Sequence, residues 1–358
     1  MKLYSCANCQ NLLYFENSVC LNCGSAVGFD ATSLSMISLT PSNENEFTDI
    51  RQPDNHWRYC NNAVYAACNW VIPASQENGF CIACNLNRTI PQLDKEENLE
   101  HWRRIEVAKH RLIYSLLRLQ LPVQAKVGDE ETGMVFDFMA DIDPANHVMT
   151  GHDKGVITLN IEEADEKLRV KHKLDLGERY RTLLGHFRHE IGHYYWDVFT
   201  RDDKSFTTKC RKTFGDDTLD YGQALETYYA NGAPANWNDH FISPYATAHP
   251  WEDWAETWAH FLHMMDTLET AYYFGIAVNP RKANEEHQLR AKISKDPYSI
   301  SRFDDIIKIW LPLTFAVNSL NRSMGHQDFY PFIISGDVIE KLRFIHQQVK
   351  NYSRRALA

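Results

Sequence analysis

The stretch from Gly185 to Trp196 contains the pattern His189-Glu190-x-x-His193. On an α-helix, residues four apart lie one turn along and about 40° apart around the axis, so both imidazoles can reach one ion. Zinc accepts neutral imidazole nitrogen, and catalytic zinc sites combine three protein ligands with a water. Glu190 follows His189 directly, where its carboxylate could take a proton from that water. The pattern therefore predicts a hydrolytic zinc centre with Glu190 as general base.

A third ligand is expected from a second helix, because two histidines leave a catalytic zinc one protein ligand short. Pro250 stands where such a helix would start, and Glu252 and Glu256 follow on one face, four residues apart. We expect Glu252 to complete the catalytic site and Glu256 to accept the ring N–H of a ligand histidine. The reverse assignment stays open, as does an acidic face that only pairs with arginines.

Two Cys-x-x-Cys knuckles lie near the N-terminus, separated by ten residues. Each knuckle lets two thiolates hold one zinc through a tight turn, and two knuckles complete a closed tetrahedral site. The spacing predicts a zinc ribbon rather than unpaired core cysteines. The expected ligands of this first structural zinc are Cys6, Cys9, Cys20 and Cys23.

A second group of four cysteines is less regular, because its first two members are spread by seven residues. We expect a second structural zinc here. The expected ligands are Cys60, Cys68, Cys81 and Cys84. The alternatives are buried thiols without metal, or a site that draws one ligand from His56. The remaining cysteine, Cys210, is interpreted as an ordinary thiol.

The histidine motif must lie on a helix for its spacing to matter. Residues 179–199 contain no proline, and their apolar side chains recur at helical spacing, which predicts such a helix. Gly192 disfavours a helix by about 1 kcal/mol relative to alanine. A residue this small between the histidines would make room for a metal or for a crossing backbone.

The sequence upstream of the motif predicts a helix over residues 98–119 and two strands, at 134–139 and 155–161. The second strand could line a cleft and accept an extended peptide by strand addition, or it could be an ordinary sheet strand; the sequence does not separate the two. Residues 33–54 are rich in Ser, Thr, Asn and Pro, which predicts an exposed connector between the two cysteine groups.

The sequence between the two metal-binding helices is also polar. Residues 221–243 are rich in Tyr, Asn, Gly and Pro and predict a long loop beside the site. Three side chains in or beside this loop, Tyr228, Tyr229 and His249, are candidates for stabilising an oxyanion. The sequence does not choose among them.

Composition sets the broad class. The chain has 358 residues and a net charge of -10, which argues against a protein built chiefly to hold nucleic acid. No apolar run approaches the ~20 residues that span a bilayer, and the start of the chain shows no apolar signal core. We therefore expect a cytoplasmic protein without a membrane partner, where reducing conditions favour cysteine as a metal ligand.

Together, the cysteine knuckles, the His-Glu-x-Gly-His helix and the later Pro-x-Glu-Asp-x-Ala-Glu helix resemble the zinc-binding metallopeptidases with an N-terminal zinc ribbon. The resemblance covers nearly the whole chain. It implies a zincin-like fold in which His189 and His193 match the zinc ligands and Glu190 the general base. Glu252 resembles the carboxylate ligand of gluzincins.

The expected fold is α+β, with a zinc-ribbon region at residues 1–95 that carries both four-cysteine sites. A mainly helical, zincin-like metallopeptidase domain with a small sheet follows at 96–358. The expected function is a zinc-dependent peptidase with one catalytic and two structural Zn²⁺ ions, acting on a peptide or protein substrate. The alternatives are a zinc hydrolase of non-peptide amides or esters, and a non-catalytic adaptor whose ribbons bind protein or nucleic acid.

Overall fold

The computed structural model describes residues 1–126, 132–141, 148–165, 182–281 and 289–356. The chain divides into two compact units, Met1–Phe187 and Arg188–Ala358. Most of the described strands belong to the first unit and most of the described helices to the second, and the predicted α+β class is confirmed. The boundary predicted from sequence after residue 95 stays a prediction.

The first unit opens with a short antiparallel pair, β1 (Tyr4–Ser5) and β2 (Leu12–Leu13). Five further strands then close into a barrel. They are β3 (Ala26–Asp30), β4 (Ser35–Asn43), β5 (Glu46–Asp49), β6 (Gln52–Tyr59) and β7 (Trp70–Pro73). Consecutive strands pair antiparallel, and β3 pairs parallel with β7, as an odd-numbered ring of such strands requires.

The barrel shows that the exposed connector predicted at residues 33–54 is wrong. Strands β4 and β5 and the start of β6 occupy this segment. In β4, Met36, Ser38 and Leu39 are buried, whereas Thr40 and Pro41 are exposed. A small barrel whose outer face is polar has the same Ser, Thr and Asn content as a loop, and composition therefore misidentified it.

An aromatic cluster fills the interior of the first unit. The ring of Phe29 on β3 lies 4.8 Å from Phe15 and 4.7 Å from Trp70, centroid to centroid. Helix α1 (Glu96–Arg118), close to the bounds expected from sequence, adds Tyr114 at 5.3 Å from Phe15. T-shaped and tilted arrangements of this kind stabilise a core beyond the area they bury.

A four-stranded sheet completes the first unit, in the order β10-β11-β9-β8. Its strands are β8 (Asn87–Thr89), β9 (Val135–Met139), β10 (Gly151–Asp153) and β11 (Val156–Asn160). The predicted strands at 134–139 and 155–161 therefore exist, as β9 and β11. β11 pairs with β10 on one side and β9 on the other. Of the two alternatives for this strand, peptide addition is therefore wrong and the ordinary sheet strand is the one observed.

The helices of the second unit position the histidine motif. They are α2 (Leu183–Asp202, within this unit from Arg188 onward), α3 (Lys204–Phe214), α4 (Tyr221–Asn231), α5 (Pro250–Tyr273), α6 (Phe303–Ser323) and α7 (Gly336–Ala356). Two short strands, β12 (Ala277–Val278) and β13 (Ala291–Lys292), form a separate pair. None of the helices in the described part of the chain has both the length and the apolar content needed to cross a bilayer.

Aromatic side chains join α2 to α5. Tyr195 of α2 stacks on Trp258 of α5 at 5.1 Å between ring centroids, and Phe199 lies 6.1 Å from Trp254. All four side chains are buried, and this packing fixes the distance between the helices that carry the candidate metal ligands. The part of the predicted helix that precedes residue 182 lies outside the described residues.

The predicted loop over residues 221–243 is wrong in its first half, where α4 lies. Asp220 caps this helix, because its carboxylate accepts a hydrogen bond from the N–H of Gln223 at 2.8 Å. No side chain of α4 is buried. The Tyr, Asn and Gly content of the segment suggested a loop, although Tyr221, Leu225 and Tyr228 recur at helical spacing.

Candidate metal centre

Helix α2 presents His189 and His193 on one face, one turn apart. Their Nε2 atoms lie 3.2 Å apart and their ring centroids 4.9 Å apart. On the opposite side of the helix, Ile191 and Tyr195 are fully buried. Burial of that side fixes the rotation of α2 and therefore the direction in which both imidazoles point.

Helix α5 brings Glu252 to the two imidazoles. The helix starts at Pro250, whose missing N–H costs nothing in a first turn. The ring Nδ1 of His249 accepts a hydrogen bond from the N–H of Trp251 at 3.1 Å, and its Nε2 lies 3.2 Å from the carbonyl oxygen of Leu219. One nitrogen of His249 therefore caps α5 and the other contacts the loop before α4, which removes this residue as an oxyanion donor.

Three atoms converge: Nε2 of His189, Nε2 of His193 and Oε2 of Glu252. The carboxylate oxygen lies 3.0 Å from the first nitrogen and 3.6 Å from the second. A circle through the three atoms has a radius of roughly 1.9 Å, so an ion just off their plane would lie at the ~2.0–2.1 Å typical of zinc bonds to nitrogen and oxygen.

The chemistry of this donor set fits a zinc ion. Glu252 is 1% exposed, and its Oε2 accepts no hydrogen bond from the part of the chain that the structure describes. A buried carboxylate oxygen without a hydrogen-bond donor is costly unless a cation faces it. Two imidazoles and one carboxylate are the ligand set of one well-known class of catalytic zinc sites.

Glu256 lies behind His189 rather than beside the converging atoms. Its Oε1 is 2.7 Å from Nδ1 of His189, and its Oε2 accepts a hydrogen bond from the hydroxyl of Ser243 at 2.6 Å. Because a carboxylate only accepts, Nδ1 carries the proton and Nε2 of the neutral ring keeps its lone pair toward the other two donors. Burial raises the pKa of Glu256, but contact with His189 outweighs it and lowers the pKa overall.

Glu190 is half-buried and follows His189 on α2. Two tyrosines lie near it. Tyr221 donates a hydrogen bond to Oε1 of Glu252 at 2.7 Å, and the ring of Tyr245 lies 6.0 Å from that of His189. Burial, followed by the negative charges of Glu252 and Glu190, raises the pKa of both phenols well above its usual range. Both hydroxyls therefore remain proton donors at neutral pH.

Gly192 is the position where the two helices touch. A Cβ there would lie 3.1 Å from Cα of Ala255 and 3.2 Å from Cβ of Trp258, closer than packed atoms normally approach. The indole N–H of Trp254 donates to the carbonyl oxygen of Gly192 at 2.8 Å. Of the two uses expected for this glycine, the structure shows the crossing backbone.

A buried ion pair anchors the start of α5 from behind. Nζ of Lys341 on α7 lies 2.6 Å from Oδ2 of Asp253 and donates to the carbonyl oxygen of His240 at 2.7 Å. Burial raises the pKa of Asp253 to about 7 despite the nearby ammonium. The pair ties α5 to α7 at the residue next to Glu252, so it helps to position that carboxylate.

The first cysteine group forms a compact cluster at the surface of the first unit. One ligand atom from each of its four members lies within 4.8 Å of the others. The Sγ atoms of Cys6 and Cys23 are 3.7 Å apart, and those of Cys9 and Cys20 are 3.6 Å apart. These separations are close to the edge of a tetrahedron around an ion bonded to sulfur at about 2.3 Å.

The second cysteine group also converges, with its four sulfurs within 4.8 Å of one another. Cys60, Cys81 and Cys84 are almost completely buried. His56, which sequence offered as an alternative ligand, is exposed on β6. The imidazole that does face this cluster belongs to His110 on α1, a residue that sequence reasoning missed because it lies 26 positions after Cys84 in a helix.

Comparison with family profiles divides the chain into two matches. The profile described as "Putative zinc-binding metallo-peptidase" matches residues 98–348, and a zinc-ribbon profile matches residues 3–95. The first match alone covers more than half of the chain. It includes both helices that carry the converging donors, and the second includes all eight clustered cysteines.

Related proteins align with nearly the full length of this chain. Proteins named as uncharacterised in Mycobacterium bovis and Mycobacterium tuberculosis are each 40% identical to this chain over 349 residues. The alignment covers 98% of this chain and 95% of each relative. No solved structure matches the chain.

Proposed function

We propose that this chain, which belongs to the zinc-binding metallopeptidase family, hydrolyses peptide bonds at a zinc held by His189, His193 and Glu252. The observation that carries the proposal is the triangle of two Nε2 atoms and one Oε2 atom, with sides of 3.0, 3.2 and 3.6 Å. Glu190 follows His189 directly on the same helix. The substrate class follows from the family, and its sequence preference stays open.

A zinc ion bound there would polarise the scissile carbonyl and lower the pKa of a water molecule. Glu190 would take the proton from that water and later deliver it to the leaving amine. Glu256 would hold His189 in the tautomer that binds metal. Tyr221 orients Glu252, and Tyr245 offers a protonated hydroxyl beside the site for the developing negative charge.

The two cysteine clusters would each hold one structural zinc. Four ligands from the chain leave no coordination position for a substrate, so these sites contribute to folding rather than to chemistry. The expected metal content is therefore three zinc ions per chain. Two ions, both lost when the cysteines are replaced, would instead indicate an adaptor without a catalytic centre.

The test is peptide cleavage by Glu190→Gln, compared with the wild type at equal zinc content on a broad peptide library. The variant keeps the size of the side chain but cannot act as a base, so we expect the rate to fall by about 10²–10⁴-fold. Glu226→Gln on α4 makes the same chemical change at an exposed position and should leave the rate unchanged. Equal cleavage by wild type and Glu190→Gln would remove Glu190 from the mechanism.

A further inference from the structure

The second cysteine cluster offers more donors than one zinc ion accepts. Besides four sulfurs, it contains Nε2 of His110, which lies 3.2 Å from Sγ of Cys68, 3.6 Å from Sγ of Cys84 and 3.9 Å from Sγ of Cys81. Zinc in structural sites is almost always four-coordinate. One of the five donors is therefore in excess.

The orientation of His110 is that of a ligand. Its Nδ1 lies 2.6 Å from the carbonyl oxygen of Glu106, one helical turn earlier. A carbonyl oxygen only accepts, so Nδ1 carries a proton, and in the neutral ring the lone pair of Nε2 points at the sulfurs. Metal-binding histidines typically show this hydrogen bond to a backbone carbonyl. Trp70 packs against the ring at 5.0 Å between centroids and holds it in place.

The distances also fit. In a tetrahedral zinc site with bonds of about 2.3 Å to sulfur and about 2.0–2.1 Å to nitrogen, a nitrogen and a sulfur are ~3.6 Å apart and two sulfurs ~3.8 Å. The distances from Nε2 of His110 to the three sulfurs, 3.2, 3.6 and 3.9 Å, are centred on the nitrogen–sulfur value. The Sγ atoms of Cys68 and Cys81 are 3.8 Å apart, which matches the sulfur–sulfur value. Three of the thiols and this imidazole therefore outline one tetrahedron.

The carboxylate of Glu106 also lies near the cluster, but other side chains already bind it. Oε1 of Glu106 accepts hydrogen bonds from Nζ of Lys109 at 2.8 Å and from the amide of Asn87 at 2.9 Å. Lys109 is completely buried, so it compensates the charge of Glu106 inside the unit. Glu106 is thereby held beside the cluster as a partner of Lys109, and its Oε2 lies 3.6 Å from Sγ of Cys84.

We infer that His110 is a ligand of the second structural zinc, together with Cys68, Cys81 and Cys84. Cys60 is then the one thiol of the cluster that does not bind the ion. Its Sγ accepts a hydrogen bond from the N–H of Cys81 at 3.4 Å. The zinc-ribbon profile ends at residue 95, whereas His110 lies in the peptidase profile. The ion therefore links the two matched regions, through α1. This inference rests on the second structural zinc proposed above and not on catalysis.

The test is ¹¹³Cd NMR of the full chain after its zinc has been replaced by cadmium, because each metal site then gives its own resonance. Thiolate ligands move the signal strongly downfield relative to nitrogen ligands. For the two cysteine clusters we expect one signal from four sulfurs, at the first cluster, and one at higher field from three sulfurs and one nitrogen, at the second. In His110→Ala, Cys60 takes the free position, and the second signal should move downfield to join the first.

Zinc content gives a second readout. Cys60→Ala and His110→Ala should each retain the full zinc content, whereas the double variant should lose one ion per chain. Cys9→Ala serves as the control, because the first cluster offers no fifth donor among the described residues. This single substitution should be enough to remove one ion per chain. Two four-sulfur signals in the wild type, both unmoved in His110→Ala, would overturn the inference, as would a second cluster without cadmium. Neither result affects the Glu190→Gln comparison, so the two proposals fail separately.

Discussion

The His189 centre and the second cysteine cluster differ in how many donors they gather around one point. The first brings together three atoms, two imidazole nitrogens and one carboxylate oxygen. The second brings together four sulfurs and an imidazole. A four-coordinate ion is therefore left with an open position in the first and is fully enclosed in the second.

A four-coordinate metal site with a spare donor has no open coordination position, and a site with an open position has no spare donor. In the cysteine cluster a lost ligand would have a replacement nearby, which would suit an ion that only stabilises the fold. At the His189 centre the next carboxylate, Glu256, binds the far side of the His189 ring and cannot take over. Each proposed ligand of that centre should consequently be indispensable. Substitutions at a ligand, at the carboxylate behind His189 and at the contact between the two helices test the arrangement in order of decreasing effect.

The largest effect is expected for Glu252→Gln. An amide cannot supply the negative charge that two neutral imidazoles lack, so we expect the loss of one zinc ion per chain. Affinity for that ion should fall by more than about 100-fold, beyond the range seen for outer-sphere partners, and peptide cleavage should fall with it. Metal analysis after dialysis measures this change. Retention of all three ions would mean that another donor can replace Glu252 at the His189 centre.

A smaller effect is expected for Glu256→Gln. The amide oxygen of glutamine can still accept the Nδ1 proton of His189, although without a negative charge. Zinc affinity at this site should fall by about 10–100-fold, as is typical when a carboxylate behind a ligand histidine is changed. Competition with a chelator, run beside Glu252→Gln, measures the difference. An affinity loss as large as that of Glu252→Gln would place Glu256 on the metal instead.

The smallest effect concerns Gly192→Ala, which tests whether helix contact sets the three-donor geometry. The added methyl group would press on Ala255 and Trp258, and overpacking typically costs about 1–3 kcal/mol. Helix propensity returns about 1 kcal/mol, so a modest net loss in the free energy of unfolding is expected. Gly222→Ala on α4 is the control, since its methyl group would meet only a carboxylate oxygen at 3.5 Å. Equal stability changes for both would show that α2 and α5 can separate freely.

Much of the candidate site could be predicted because the residues of each of its two motifs lie close together in the sequence. The spacing of His189 and His193 fixes their common face wherever a helix forms, and Pro250 marks the start of the next helix. The choice between Glu252 and Glu256 is different, because both lie on one face of α5. Only the rotation of that helix against α2, set by Gly192 and the aromatic packing, distinguishes them.

Other features were missed because no local pattern encodes them. His110 approaches the cysteines only after α1 packs against the barrel, and Ser243 reaches Glu256 across a loop. The barrel itself was mistaken for a connector, since its strands alternate buried and exposed residues imperfectly and carry many hydroxyl and amide side chains. Closure of the ring, not apolar content, makes these segments strands.

The burial of the second cysteine cluster has a consequence for how the protein matures. Cys60 and Cys81 are 1% exposed and Cys84 is 3% exposed, and α1 covers them with His110. Such burial hinders the entry of a cation once the helix has docked, so we expect the ion to bind before α1 closes over the cluster. Supply of zinc during synthesis would then limit the yield of correctly assembled molecules, whereas the surface cluster around Cys23 could be filled afterwards.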